Sequence, residues 1–227
     1  LCRRIHRVVN QTMFLFILAG VVLSCLHQSS LGNLMVIAPS KMHALWYTPI
    51  LPLLFLLSAI AVGFPMVIAE SLYASWSLGL RSELDLLRRL AKPASVLLAI
   101  YLAFKLGDLV VRGAHAELTN APSRALPFAV EILAGIVIPL GMLIAVNERT
   151  PGRWLGAAAL LVVLGVALNR VNVFLVAYQP PYATQAYFPS FGEFAVTAGL
   201  LSLLVLVYRA LVTVLPVIST PADAREQ

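Results

Sequence analysis

Six long apolar windows set the limits on what this sequence can become. Each is close to the ~20 residues that an α-helix needs to cross roughly 30 Å of hydrocarbon. They run from Val9 to Leu31, Pro49 to Tyr73, Pro93 to Val111, Ala125 to Val146, Trp154 to Tyr178 and Phe191 to Val214. In lipid every backbone polar group must find its partner within the segment, and no window alternates with the period of two that a barrel requires. The expected fold class is all-α: a polytopic transmembrane helical bundle of about six spans over residues 1–216, with a polar tail at 217–227. Only 11% of residues are charged and 60% are hydrophobic, against roughly 25% charged in an ordinary soluble domain.

A net charge of +6 would point to nucleic acid if the cations formed one patch, but they lie between the apolar windows. Arg3, Arg4 and Arg7 precede the first, Arg81, Arg88, Arg89 and Lys92 follow the second, Arg149 and Arg153 follow the fourth, and Arg209 closes the sixth. These places share one side, whereas the other holds only Lys41, Arg112 and Arg124. The positive-inside rule then puts both termini in the cytoplasm and leaves no nucleic-acid partner. Residues Arg81 to Lys92, with Leu84, Leu87 and Leu90 among charges, suit a short helix lying in the membrane interface. Two cysteines, Cys2 and Cys25, stand a whole span apart, so iron–sulfur ligation and a Cys-based metal site by this chain are excluded. The first residue is Leu and no signal peptide precedes the first span, so an absent N-terminal portion is expected.

Polar residues inside apolar spans are costly and mark functional sites by default. Ser24, His27 and Gln28 fall at helical spacing on one face near the outer end of the first span. Trp46 and Tyr47 end an apolar outer connection. Glu70 sits toward the other end of the second span, either on a proton path or at headgroup level. Lys105, Asp108 and Arg112 form a stripe in the third, where Lys105 and Asp108 are placed to neutralise each other as a structural pair or a relay. Glu131 lies in the outer half of the fourth span. In the fifth, Asn169 and Asn172 share a face beside Arg170, which needs a carboxylate or an acceptor ligand, with Glu131 and Glu193 as candidates. Tyr178, Tyr182 and Tyr187 belong to an uncharged, proline-rigid outer loop suited to protein contact. Ser190 is positioned to cap the sixth helix with Glu193 in its first turn.

Taken together, Leu26-His27-Gln28-Ser29-Ser30-Leu31-Gly32, Leu45-Trp46-Tyr47-Thr48-Pro49, the run Pro52 to Ala59, Asn169-Arg170-Val171-Asn172 and Tyr187-Phe188-Pro189-Ser190-Phe191-Gly192-Glu193 resemble the NrfD/PsrC-like family of quinone-interacting membrane subunits. Within it the resemblance is nearest to the HybB-type subunit of periplasmic nickel–iron hydrogenases. Members usually have eight to ten spans, which makes the six here part of such a fold. The resemblance implies a multi-pass subunit of the bacterial inner membrane that exchanges electrons between an extracytoplasmic iron–sulfur protein and menaquinone or ubiquinone, that protein being joined to a catalytic subunit, a nickel–iron hydrogenase before a sulfur- or nitrogen-compound reductase.

On that reading His27, Gln28, Asn169, Arg170 and Asn172 line a quinone pocket, and Glu70, Lys105, Asp108, Glu131 and Glu193 move protons. Trp46, Tyr178, Tyr182 and Tyr187 receive the partner. No haem is expected, because a bis-histidine site needs two histidines at matching depth and only His27 lies within a span. A passive membrane anchor and a transporter are the rival classes, and a purely structural hydrogen-bond cluster around His27 is the plainer alternative to a quinone site.

Overall fold

A computed structural model describes residues 2–37, 39–78, 83–179 and 189–214. Among these residues there is no strand, only one isolated bridge between Met42 and Tyr178. The helices are α1 (Cys2–Val36), α2 (Leu51–Leu78), α3 (Leu84–Val111), α4 (Glu117–Asn120), α5 (Pro122–Ile132), α6 (Ile138–Ile144), α7 (Gly152–Val171) and α8 (Phe191–Val214). Six stretches are long and apolar enough to cross a membrane: Thr12–Val36, Leu51–Ser77, Leu84–Val111, Pro122–Ile144, Gly152–Val176 and Phe191–Leu211. The all-α, multi-pass character expected from the windows is what is found among the described residues.

Residues 1–184 and 185–227 form separate compact units. In the first, α2 lies against α1, α3 and α7, and α6 packs on α3 and α7. Phe55, Ile68, Leu98, Leu155, Val162 and Val173 are fully buried at its centre. Two close helix approaches depend on glycine. A Cβ on Gly32 of α1 would stand 2.9 Å from the Pro52 Cα of α2, and one on Gly165 of α7 would stand 2.3 Å from the Gly135 Cα. In the second unit, α8 opens with a reciprocal cap: the Glu193 N–H donates to Ser190 Oγ at 3.4 Å, and the Ser190 N–H donates to Glu193 Oε2 at 2.9 Å.

Helix boundaries differ from the windows in two places. Pro93 does not start a span, and Leu84 to Lys92 do not form a separate interfacial helix, because α3 runs unbroken from Leu84 through Pro93, while Arg81 and Ser82 lie outside the described residues. Leu87, Ala91, Ala94 and Leu98 form one buried stripe across the proline, and that burial outweighs the single backbone bond which proline cannot donate. The first helix likewise continues past Gly32 to Val36, since Gly32 serves close packing instead of a stop. Gly113, by contrast, does end its helix: with φ at 66° it takes the left-handed conformation after α3, and its N–H donates to the Val110 carbonyl.

Between α5 and α6, residues Leu133–Val137 form a π-helical turn, and Asn172–Val176 form another after α7. Each carries a backbone bond five residues long, from Ile138 N–H to the Leu133 carbonyl and from Ala177 N–H to the Asn172 carbonyl. Wide turns of this kind collect at functional sites. One begins two residues after Glu131, and the other begins at Asn172.

Candidate functional site

The interior polar network is centred on Glu131, whose side chain is 1% exposed at the end of α5. Pro122 at the first turn starts α5 without forfeiting a bond, and this delivers Glu131 to the core nine residues later. Both carboxylate oxygens are fully engaged. Oε1 accepts from the Lys105 ammonium of α3 and from Asn169 Nδ2 at 2.7 Å. Oε2 accepts from Asn172 Nδ2 at 2.7 Å and from the Trp46 indole N–H at 3.0 Å. Asn172 also donates to the Pro127 carbonyl at 3.3 Å, tying the π-helical turn after α7 to the turn of α5 before Glu131. Lys105, itself buried, lies 5.6 Å from the Tyr101 ring centre and 5.7 Å from that of Phe128, where aromatic faces add to its stabilisation.

This pairing corrects the neutralisation expected from spacing. Lys105 does not meet Asp108. It reaches Glu131 across the helix interface, while Asp108 accepts from Arg112 Nε at 2.8 Å one turn later and from Thr48 Oγ1 at 2.8 Å. A single helical turn separates Lys105 from Asp108, but the two side chains point to different neighbours, and the better-shielded carboxylate wins the lysine. Arg112 also donates to the Ala44 carbonyl at 3.0 Å, fastening the connection between α1 and α2 to α3.

Arg170 departs from expectation in a second way, because its guanidinium meets neither Glu131 nor any other carboxylate among the described residues. It donates to Gln28 Oε1 at 3.2 Å, Asn169 Oδ1 at 2.8 Å, Ser58 Oγ at 2.8 Å and the Phe55 carbonyl at 3.3 Å. Its central carbon lies 3.6 Å from the centre of the Phe55 ring. Asn169 thus joins the arginine to Glu131, and the connected cluster holds two cations, Lys105 and Arg170, against one carboxylate.

The residues singled out by sequence therefore divide. Gln28, Asn169, Arg170, Asn172, Lys105 and Glu131 come together, whereas Asp108 forms its own pair with Arg112. His27 follows Gln28 by position but projects from the exposed side of α1, and its carbonyl accepts from Ser30 Oγ at 3.0 Å. Glu70 is exposed, far along α2 from the cluster. Glu193 belongs to the cap of α8. Trp46 is buried at 3% exposure with its indole committed to Glu131, so its polar edge faces inward. Tyr178 is half-buried and bridges to Met42. Tyr182 and Tyr187 lie outside the described residues. Spacing gave no sign of Ser58, Phe55, Thr48 or Tyr101. An isolated serine within an apolar run, as at Ser58, was the one available cue.

Trp46 is held by a turn in which the Trp46 and Tyr47 N–H groups donate to the His43 carbonyl at 3.1 and 3.0 Å. His43 Nδ1 accepts from the Leu45 N–H at 3.3 Å, which requires that nitrogen to be unprotonated. Burial holds the His43 imidazole below its usual range, Arg124 adds to that, and Glu117 at 3.9 Å opposes it.

Two spaces adjoin the network. Between Trp46, Thr48, Phe55, Lys105, Asp108 and Asn169 lies a cavity of about 20 Å³, room for about one water. Along α3, an open groove of about 380 Å³ runs past Ile50, Phe104, Gly107, Asp108 and Val111.

Comparison with known proteins places this arrangement. The chain is 34% identical over 234 residues to a protein of Nitratidesulfovibrio vulgaris named only "Protein", a match covering 99% of this chain and 59% of that one. It is also 34% identical over 215 residues to the probable Ni/Fe-hydrogenase 2 b-type cytochrome subunit of Escherichia coli, covering 92% of this chain and 54% of the relative. The chain thus spans a little over half the length of these curated relatives. No solved structure matches it significantly. The family model described as polysulphide reductase, NrfD, matches residues 2–181, and the chain belongs to that family of integral, multi-pass membrane proteins.

Proposed function

We propose that this chain is the quinone-interacting membrane part of a respiratory oxidoreductase, passing electrons between an extracytoplasmic iron–sulfur protein and menaquinone or ubiquinone in the bacterial inner membrane. A nickel–iron hydrogenase is the favoured catalytic partner, in keeping with the name of the Escherichia coli relative. A sulfur- or nitrogen-compound reductase is the alternative, in keeping with the family's name.

The observation that carries the proposal is the charge imbalance of the Glu131 network. Lys105 and Arg170 face a single carboxylate, and Arg170 is satisfied by neutral acceptors alone. A guanidinium so placed keeps an unspent electrostatic capacity to stabilise negative charge arriving beside it. Gln28 carries that influence to the surface of α1, where its neighbour His27 stands exposed. An imidazole there wants a polar partner. Quinone reduction takes up two electrons and two protons, so its carbonyl oxygens need a donor and a proton source. The His27 imidazole can donate a hydrogen bond and can also hand on a proton. The interior cavity of about 20 Å³ is too small for a ring, so the headgroup is assigned to the outer surface of α1 beside His27, reached laterally from lipid. Lys105, Glu131 and Asp108 offer proton-handling groups behind it, and electrons arrive from the partner docked over the outer loops.

The chain itself is read as holding no haem. Among the described side chains His27 is the one histidine on a spanning segment. His43 is committed to the Leu45 turn and His115 stands in the short helical turn Ala114–Ala116, so the described histidines offer no facing pair for an iron-porphyrin.

The test is quinone-coupled turnover of the purified complex in proteoliposomes. His27→Ala and Arg170→Gln should each lower turnover at least tenfold while the complex still copurifies and the catalytic subunit still works with a soluble dye. Full quinone turnover in both variants would leave this chain as a passive anchor.

A further inference from the structure

At the end of the bundle opposite the Glu131 network, a second polar feature has no part in the proposed chemistry. A cleft of about 630 Å³ opens between the start of α3 and the loop after α6, lined by Asp85, Arg88, Arg89, Lys92, Asn147 and Glu148. We propose that this cleft binds the phosphodiester headgroup of an anionic glycerophospholipid.

The depth of the cleft is the first argument. The 28 residues of α3 extend about 42 Å at 1.5 Å per residue, about 12 Å beyond a 30 Å hydrocarbon layer. Measured back from Val111, that excess covers roughly the first eight residues, Leu84 to Ala91, so Arg88 and Arg89 stand at headgroup level and Lys92 at its border. Here α2 and α6 end, and α3 and α7 begin.

The charges are the second argument. Arg88 is fully occupied: it donates to Asp85 Oδ1 at 2.9 Å and to the Thr150 carbonyl through Nε at 3.1 Å and Nη2 at 2.7 Å. This braces one wall of the cleft against the loop before α7. The loop is internally fixed as well, by Asn147 N–H to Thr150 Oγ1 at 2.8 Å and Arg149 N–H to Asn147 Oδ1 at 2.9 Å. Arg89 and Lys92 are exposed and meet no carboxylate among the described residues. With Asp85 paired to Arg88, the remaining wall charges are these two cations and Glu148. One phosphodiester, carrying a single negative charge, neutralises that remainder, and a rigid cleft at headgroup depth between spanning helices is where basic groups take lipid phosphates. A zwitterionic lipid would add no net charge and would leave the excess in place.

Thermal unfolding and native mass spectrometry of the purified full-length protein in detergent, titrated with phosphatidylglycerol, phosphatidylcholine or glycerol phosphate, test the proposal. Phosphatidylglycerol should raise the unfolding temperature and remain bound in the gas phase, with little effect from the other two. Arg89→Gln/Lys92→Gln should weaken phosphatidylglycerol binding roughly 30-fold, about fivefold for each cation at a membrane surface, whereas Lys41→Gln should leave it unchanged. Glu148→Gln, which keeps both cations, should tighten binding severalfold. Equal stabilisation by phosphatidylcholine, undiminished binding by the double variant or an indifferent Glu148→Gln would each overturn the proposal. Equal stabilisation by glycerol phosphate would replace it with a site for a soluble anion.

Discussion

Glu131 and Lys105 are unequal partners in their ion pair. The carboxylate keeps three neutral donors if the lysine is removed: Trp46, Asn169 and Asn172. The ammonium, deprived of its carboxylate, keeps only the Tyr101 hydroxyl at 3.4 Å. Breaking a buried pair costs about 3–5 kcal/mol because one charge is left uncompensated. Glu131→Gln should therefore lower unfolding stability by about that much, and by more than Lys105→Met. The double variant should recover most of the loss, as measured by denaturant titration in detergent. His43 gives a separate prediction. Its folded pKa is depressed by burial from 6.5, so the unfolded chain takes up protons first as pH falls. The stability that neutral His43 contributes is complete above pH 6.5 and declines as pH drops through the lower folded value. Unfolding midpoints should fall between pH 7.5 and pH 5, and His43→Gln should flatten that dependence.

Helix by helix, the sequence was most readable where periodicity alone decides and least readable where two helices share a residue. The windows located all six long helices, and the Ser190–Glu193 cap was visible as residue types at the right spacing. The Lys105–Glu131 pair was not, because spacing along α3 favours Asp108 and says nothing about which face meets α5. Arg170 was recognised as needing acceptors and was grouped with Gln28, but its partners Ser58 and Phe55 come from another helix with no shared pattern. The contact between Gly135 and Gly165 was equally hidden. A Cβ at Gly165 would meet Gly135 backbone at 2.3 Å, whereas one at Gly107 would meet nothing within 4 Å. Gly165→Ala should cost about 1–3 kcal/mol by forcing the helices apart. Gly107→Ala, in the interior of α3, should be neutral or stabilising by up to about 1 kcal/mol. Thermal unfolding of the two variants side by side checks the contrast.

For the molecule as a whole, composition sufficed for the class of fold, and the distribution of cations gives the proposed orientation. With both termini cytoplasmic, a green fluorescent protein fused after Gln227 should fluoresce, and alkaline phosphatase fused after His115 should be active. The reverse result would invert every depth assigned to the Glu131 network. What composition could not supply is the internal register. Each π-helical turn, at Leu133–Val137 and Asn172–Val176, accommodates one more residue than an α-helical turn would. One residue corresponds to about 100° around a helix axis. Deleting a single residue from either turn would restore ordinary winding without breaking the span, yet swing everything on one side of it a quarter-circle or more. Glu131 stands two residues before one such turn and Asn172 opens the other, so a lost residue in either would re-aim the coil that carries on from their contact.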